Sequence, residues 1–265
     1  MFEFSQEQIQ TLLYGIFSGT ITEYDLPSSL YFAIADYLKR GLYKGFCGSL
    51  NDFDPASTDY ALLDELRDNI YMFSAAKTFQ QVRDMTDALV DDDDVIRPFH
   101  EFRDIARDIF GQYNENWLEA EYDTAIGQAQ NAVRWQEIEK DKEVLPYLQY
   151  SAVGDDNTCE ICGPLDGTIL KVDDDFWNEF MPSNHFRCRC TVEQLDDSAA
   201  DDETPDDTVD ALADHARDEM APEFLMNPGK DGVIFNEDHP YFSVAPKDRG
   251  FAAENFGLPI PEDDE

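Results

Sequence analysis

Two short stretches decide the fold of this chain: Cys159-Glu160-Ile161-Cys162 and His185-Phe186-Arg187-Cys188-Arg189-Cys190. Together they hold four of the chain's five cysteines and one of its four histidines. Two cysteines separated by two residues suit a tight turn that presents both thiolates to one tetrahedral metal ion. The second stretch supplies more donors than the remaining two positions of such a site require. The sequence therefore predicts a closed, structural zinc (Zn²⁺) site.

The sequence leaves the ligand set of this site open. If residues 188–190 form a strand, their two sulfurs lie on the same face, and both would reach one ion only if the strand bends. The ligands would then be Cys159, Cys162, His185 and one of Cys188 and Cys190. If the segment is a turn, all four cysteines are able to bind, and His185 would support them from outside the coordination sphere.

Other uses of the thiols compete with zinc. A redox Cys-x-x-Cys pair needs a strand-to-helix setting, and a disulfide framework is typical of short secreted chains. An iron–sulfur cluster would use four thiolates, but the adjacent histidine favours zinc. Cys47, between Gly45 and Gly48, is predicted to be a packing thiol without a functional role.

The chain is strongly acidic, with 58 aspartates and glutamates against 19 lysines and arginines and a formal net charge of −39. This charge argues against direct binding to nucleic acid and to anionic membranes. No apolar run is long enough to span a bilayer. Two explanations of the acidity stay open, namely a face that meets a basic partner and adaptation to high salt, where repulsion is screened.

Residues 1–97 are predicted to form a helical N-terminal region. Ser5 and Gln8 have the spacing of a capping box, and apolar residues then recur at helical intervals. Pro27 suits the first turn of a second helix. Further helices are expected over residues 59–74, 75–90, 99–112 and 113–139, with a solvated acidic connection at 91–94.

Residues 147–195 are predicted to form a small β-rich unit around the cysteines. Strands are expected over 147–153, 168–170 and 191–195, with Asp166-Gly167 as a hairpin turn. The acidic run 173–175 is expected to be a turn and helix cap, because it lacks the alternation and glycine of a calcium loop. So thin a unit is expected to need a metal, whose binding contributes on the order of 10 kcal/mol in comparable units.

The composition changes after Leu195. Residues 196–219 are rich in aspartate, which predicts an acidic linker that is either mobile or a weak helix. Residues 220–265 carry turn signals and scattered aromatic residues, which predict an extended tail that docks on the chain's own body or on a neighbour. The predicted fold class is α+β, with a mainly helical N-terminal body, a small β-rich zinc-knuckle unit and an extended acidic C-terminal tail.

A wider pattern surrounds the cysteines. On the long predicted helix and in the β-rich unit it consists of Tyr122, Ala125, Ala129, Trp135, Asp156, Leu165-Asp166-Gly167 and Pro182, together with the two cysteine stretches. A Leu-Asp-Gly turn between two metal half-sites, followed by His-x-x-Cys-Arg-Cys, is far more specific than Cys-x-x-Cys alone. Over residues 98–195 the chain resembles phage minor head proteins of the Mu gpF type, also called the phage head morphogenesis domain.

The resemblance implies a structural role in a tailed-phage head. Such a protein is a minor capsid component of the virion, associated with the portal protein or the major capsid protein near the portal vertex. It acts in head assembly or in genome packaging and delivery, in one or several copies, and is found in the host cytoplasm during assembly. The resemblance also implies that Asp166 and Gly167 shape the turn between half-sites, and that Arg187 and Arg189 face a partner or cap a carbonyl. The implied metal ligands are Cys159, Cys162, His185, Cys188 and Cys190.

The competing hypothesis is a zinc enzyme, for example a knuckle-type nuclease. Such an enzyme needs a zinc ion with an open position, or a second site with a general base. His100 is expected to be packed on a helix, His215 lies in the acidic linker, and His239 is expected in a turn or docking segment. The sequence therefore predicts no catalytic residues and a non-enzymatic protein. A free zinc-stabilised adaptor that acts on the host would look similar in sequence.

Overall fold

The computed structural model describes residues 2–156 and 158–257, which form helices and one small antiparallel sheet. The expected α+β class is therefore confirmed. In chain order the elements are α1 (Gln6–Phe17), α2 (Ser28–Gly45), α3 (Thr58–Asp87), α4 (Phe99–Gly111), a π-helical segment (Gln112–Trp117), α5 (Leu118–Asp141), β1 (Tyr147–Ser151), α6 (Cys162–Leu165), β2 (Ile169–Lys171), α7 (Phe176–Glu179), β3 (Thr191–Leu195), α8 (Asp206–Glu219), α9 (Pro228–Asp231) and α10 (Arg249–Phe256).

The chain folds into two compact units, each assembled from separate stretches of sequence. Among the described residues, the first unit contains 2–40, 70–122 and 239–257, and the second contains 41–69 and 123–238. The four-part functional division expected from the sequence, with limits at residues 97, 195 and 219, stays a prediction. In the part of the chain that the structure describes, no helix combines the length and hydropathy needed to cross a bilayer.

The predicted N-terminal helices are present, but one predicted break is wrong. The capping box of α1 forms as expected, with Gln8 N donating to Ser5 Oγ at 3.2 Å and Ser5 N donating to Gln8 Oε1 at 2.8 Å. Helix α3 runs without interruption through residues 74 and 75, where two helices were expected. The buried hydroxyls of Ser74 and Thr78 each donate to the carbonyl four residues earlier, at 2.7 Å, so the helix satisfies them internally.

A second predicted break, between residues 112 and 113, is also wrong. Helix α4 continues into α5 through Gln112–Trp117, which is π-helical. A π segment carries one extra residue per turn and is rare outside functional sites. Tyr113 and Asn114, inside this segment, are both buried.

The three strands pair in the order β2-β1-β3, and both pairings are antiparallel. Their limits agree with the predicted strands to within two residues. The Asp166-Gly167 turn is not the tip of a hairpin, because a long connection that contains the first cysteine pair separates β1 from β2. Instead, Gly167 has a φ of +79° and turns the chain from α6 into β2, a conformation that favours glycine.

In the second unit, the sheet shares one apolar core with helices α5 and α8. Members of this core are Trp135, Ile138, Leu148, Tyr150, Cys162, Leu165, Leu170, Trp177, Phe180, Val192, Ala213, Ala216 and Met220. The sheet therefore has more apolar support than its thin sequence suggested, because residues of the preceding helix and of the acidic segment 196–219 complete its core. Of the two alternatives predicted for that segment, the structure shows the helix.

The described part of the tail is folded. Its apolar side chains are buried within each unit, Phe224 and Met226 in the second and Tyr241 and Phe256 in the first. Docking on the chain's own body, one of the two predicted alternatives, therefore applies to these residues. The acidic end of the predicted tail, residues 258–265, lies outside the described residues.

A buried ionic cluster joins the tail to α3 and α5 within the first unit. Lys77 Nζ lies 2.8 Å from Glu121 Oε1, and both side chains are almost completely buried. The hydroxyl of Tyr241 accepts from Lys77 at 3.1 Å and donates to Glu121 at 3.0 Å. Burial lowers the pKa of Lys77 and raises the pKa of Glu121. The pair therefore depends on its own partners, because little water reaches either charge.

His239 begins the same tail segment as a capping residue, which confirms the predicted turn role. Its Nδ1 accepts from the backbone N of Tyr241 at 3.2 Å, and its ring lies 4.9 Å from the ring of Phe73. Burial, together with the charge of Lys77, lowers the pKa of His239 to about 3. The native state therefore holds this imidazole neutral.

Replacing Lys77 with methionine should destabilise the protein strongly. The change leaves Glu121 buried without its cation, which typically costs about 3–5 kcal/mol. The matched control is Lys142→Met, because Lys142 pairs with Asp173 and Glu139 at the surface, where such pairs contribute about 0–1 kcal/mol. The free energy of unfolding, measured by denaturant titration, compares the two variants. Equal losses would show that the buried pair has no special role.

The neutral state of His239 predicts a loss of stability in acid. An unfolded histidine takes up a proton at a pKa of about 6.5, whereas the folded one resists protonation down to a pKa of about 3. The contribution of His239 is therefore complete above the unfolded pKa and falls, by about 1.4 kcal/mol per pH unit, as the pH drops from there toward the folded pKa.

The variant His239→Asn isolates this contribution, because asparagine keeps a capping acceptor but does not titrate. Its free energy of unfolding should therefore decline less steeply than that of the parent between pH 7 and pH 5. Parallel pH profiles for the two proteins would contradict the assignment.

Candidate metal centre

The pairing of β1 with β3 brings the two cysteine stretches together. Ser151, at the end of β1, lies opposite Thr191, at the start of β3. The chain that leaves β1 carries Cys159 and Cys162, and the chain that enters β3 carries His185, Cys188 and Cys190. Both stretches therefore meet at the same end of the sheet, as the sequence predicted.

All five candidate ligands lie in two overlapping groups that share Cys162. Cys159, Cys162 and His185 form one group, and Cys162, Cys188 and Cys190 form the other; within each group the donor atoms lie within 4.8 Å of one another. Cys162 Sγ and Cys188 Sγ are 3.8 Å apart. A tetrahedral zinc ion with Zn–S bonds of about 2.3 Å separates its sulfurs by about 3.8 Å. The spacing of these two thiols therefore fits one tetrahedral ion.

The surrounding groups also suit metal-bound thiolates. The backbone N of Cys162 donates to Cys159 Sγ at 3.3 Å, and the hydroxyl of Tyr150 donates to Cys162 Sγ at 3.2 Å. His185 Nδ1 lies 2.9 Å from the carbonyl oxygen of Phe186, which only a protonated nitrogen can satisfy. That contact leaves Nε2 free of the proton, the usual arrangement of a metal-binding histidine.

The thiols share their protons unequally. Hydrogen bonds from Cys162 and Cys190 lower the pKa of Cys188 to about 3. Hydrogen bonds with Cys188 and Cys190, together with burial, raise the pKa of Cys162. Although burial opposes it, backbone hydrogen bonds from Cys162 and Ile161 and the nearby His185 lower the pKa of Cys159. A cation at this position would relieve the competition, because it stabilises every thiolate at once.

The structure decides between the two backbone conformations considered for the second stretch. Residues 188–190 lie outside any strand, β3 begins only at Thr191, and Cys188 N donates to the carbonyl of His185 at 3.1 Å. The segment is therefore a turn. This is the arrangement in which all four cysteines are able to bind and His185 stands outside the coordination sphere. The ligand set itself stays a prediction.

Two residues that the sequence reading missed support the cluster. Tyr150 is fully buried, and its hydroxyl also accepts from Asn184 Nδ2 at 3.1 Å. Asn184 is buried as well and donates to the carbonyl of Phe180 at 3.4 Å. Tyr150 lies one residue before the end of β1, and Asn184 lies one residue before His185. This closeness to the cysteine stretches was the feature of the sequence that could have indicated their role. A buried tyrosine hydroxyl beside a thiol needs such a partner.

The arginines of the motif bind carboxylates in the same unit. Arg189 makes a two-pronged contact with Asp155, at 2.8 and 2.9 Å, and Arg187 lies 3.3 Å from Asp123. Arg189 therefore ties the second cysteine stretch to the connection that holds the first. Both arginines also line a shallow surface pocket of about 290 Å³ beside Cys159, His185 and Cys190.

Three other expectations about single residues are settled by the structure. Cys47 is exposed, so the prediction of a packing thiol is wrong; it lies in a turn after α2 with a φ of +58°. His100 is also exposed, with 70% of its side chain accessible, so the prediction of a packed histidine is wrong. His100 lies on the solvent side of α4, two residues before the buried Phe102. His215 Nε2 lies 3.3 Å from the carbonyl of Glu160, near the first cysteine pair.

At one end of its small antiparallel sheet, the second unit gathers four cysteine thiols and one imidazole, which makes it a cysteine-rich α+β unit. Comparison with known families shows which proteins this unit is similar to. Residues 73–193 match the family described as Phage Mu protein F like protein. The match covers a little under half of the chain, includes α4, α5 and both cysteine stretches, and confirms the resemblance drawn from the sequence.

A curated relative is the Mu-like prophage FluMu F protein of Haemophilus influenzae, which is 35% identical over 71 residues. The aligned part covers 27% of this chain and 17% of the relative, so the chain spans well under two thirds of that protein. No solved structure matches the chain.

Proposed function

We propose that this chain is a structural head protein of a tailed phage, a minor capsid component that acts in head assembly or in genome packaging and delivery. The observation that carries the proposal is the family match over residues 73–193, because the matched region contains the entire cysteine cluster and the helices that support it. The partners would be the portal protein, the major capsid protein or both. The protein would reside in the virion near the portal vertex and, during assembly, in the host cytoplasm.

Within this proposal the cysteine cluster binds one structural zinc ion. Cys159, Cys162, Cys188 and Cys190 would hold the ion, and His185 would either support them or replace one of the last two. Bound zinc supplies no reaction here. It fixes the turn after β1 to the turn before β3, and Tyr150 and Asn184 hold the buried side of the cluster.

A non-enzymatic role suits this site better than nuclease activity. Five donors lie in two overlapping groups that share Cys162, which is more than one closed site needs, whereas a catalytic zinc keeps a coordination site open for water or substrate. The net charge of −39 would also repel a nucleic acid substrate. A free zinc-stabilised adaptor is the other alternative, and it differs from a head protein in being absent from particles.

The zinc proposal predicts that Cys162→Ser loses the metal. Cys162 is fully buried and belongs to both ligand groups. Of the possible sets of four ligands, only the one made of all the other four donors leaves it out. The variant should purify with far less than one equivalent of zinc and unfold at a lower temperature. A chelator should reproduce that shift in the parent protein. Elemental analysis by plasma mass spectrometry and a thermal melt provide the two readouts.

The matched control is Cys47→Ser, since it removes an exposed thiol outside the cluster. It should keep both the zinc and the melting temperature of the parent. Full zinc content and an unchanged melt in Cys162→Ser would contradict the structural-zinc proposal.

The head-protein proposal is tested by mass spectrometry of density-purified, nuclease-treated phage particles from the source culture. We expect peptides of this chain in every preparation, at low copy number relative to the main shell protein. A consistent absence from mature particles and from assembling heads would contradict the proposal and favour the adaptor. The zinc test does not depend on this result.

A further inference from the structure

A second candidate site lies in the first unit, beside the π-helical segment Gln112–Trp117. It is a pocket of about 550 Å³ that opens to solvent, a volume within the usual range of ligand sites. Aromatic side chains line one side, and polar side chains of the π segment and of α5 line the other. The family match and the cysteine cluster do not assign this pocket a role.

The aromatic side is a connected wall of rings. Phe4 stacks on Phe110 with ring centres 5.6 Å apart, and Phe2 lies 6.2 Å from Phe4 and 6.1 Å from Tyr37. The faces of such rings attract cations, and arginine most often. One ring of the wall already does so, because the guanidinium of Arg40 lies over Tyr37 at 5.7 Å.

The polar side offers acceptors. Asn114 is only 4% exposed, and its Nδ2 donates to the carbonyl of Phe110 at 3.0 Å. This hydrogen bond fixes the amide, so that Oδ1 is the atom left over, and Oδ1 is buried without a hydrogen-bond partner among the described residues. Because this oxygen has almost no accessible surface, a ligand in the pocket would meet it only after the amide has moved.

Negative charge accompanies these acceptors. Glu115 and Glu119 line the same pocket and are four residues apart, both with exposed side chains. Two like charges at this spacing repel each other on a helix. None of the described residues that line the pocket carries a positive charge. The two lining carboxylates outnumber the one nearby cation, Arg40 at Tyr37, so the electrostatic field of the site favours a cationic ligand over phosphate.

The backbone conformation adds an independent indication. The extra residue of the π segment rotates the following side chains by roughly 100° relative to an uninterrupted α-helix. Asn114 and Glu115 both lie in this segment. Such segments occur frequently at functional sites, and this one places two polar residues in the lining of the pocket.

We propose that this pocket binds an arginine side chain from a basic segment of a partner protein. The guanidinium would stack on the wall formed by Phe4 and Phe110 and would donate hydrogen bonds to the Glu115 carboxylate and, after a shift of the amide, to Asn114 Oδ1. Its planar, multiply donating head matches a site that combines ring faces with acceptors. The acidic chain attracts basic partners through its net charge, and this pocket would add one specific contact to that general attraction.

The experiment is a titration of the full chain, labelled with ¹⁵N, by N-acetyl-arginine amide, followed by amide chemical shifts. The comparison ligand is N-acetyl-citrulline amide, which has the same shape but no charge. We expect saturable shifts at residues 112–119 and near Phe4, and affinity at least tenfold higher for the arginine derivative. Equal affinity for both ligands, or shifts scattered over the acidic surface, would overturn the proposal.

Charge-matched variants complete the test. Glu115→Gln removes one carboxylate from the pocket and should weaken binding at least threefold. Glu143→Gln makes the same change at an exposed position that does not line the pocket and should leave binding unchanged. Both residues are exposed, so neither variant is expected to disturb folding. Equal weakening by the two variants would show general electrostatic attraction in place of a specific site.

Discussion

The antiparallel pairing of β1 with β3 is the constraint on which the cysteine cluster depends. Because Ser151 lies opposite Thr191, the chain that leaves one strand and the chain that enters the other begin side by side. Two cysteine stretches separated in sequence thereby become neighbours, and Cys162 enters the apolar core. Arg189 and Asp155 close the same junction with a second, exposed contact. A metal ion at this point would hold the strand ends together, in addition to the apolar support that α5 and α8 give the sheet.

The two units contain buried polar chemistry of different kinds. In the first unit, Lys77 and Tyr241 both donate to Oε1 of the buried Glu121, and the contact joins the tail segment that begins at His239 to α3 and α5. The other carboxylate oxygen, Oε2, is buried without a hydrogen-bond partner among the described residues. In the second, the thiols compete for protons, as the opposite pKa shifts of Cys162 and Cys188 indicate. The first network therefore pairs a cation with a carboxylate, whereas the second gathers several thiols whose thiolate forms a bound cation would stabilise together.

The sequence was sufficient for the elements with strong local signals and for the cysteine cluster. The capping box at Ser5, the strand positions and the meeting of the two cysteine stretches follow from spacing alone. The continuity of α3 did not, and in the structure the buried hydroxyls of Ser74 and Thr78 donate to carbonyls of the same helix. The Lys77–Glu121 pair and the contact of Tyr150 with Cys162 join residues far apart in sequence, and a single sequence carries no signal for either.

The central structural claim is that one zinc ion joins the two cysteine stretches. Zinc-edge X-ray absorption of the purified chain tests it most directly, because the method counts the atoms bound to the metal and measures their distances. We predict one tightly bound zinc with three or four sulfurs at about 2.3 Å and at most one nitrogen at about 2.0 Å. A shell made only of oxygen and nitrogen atoms, or a folded chain without bound zinc, would contradict it.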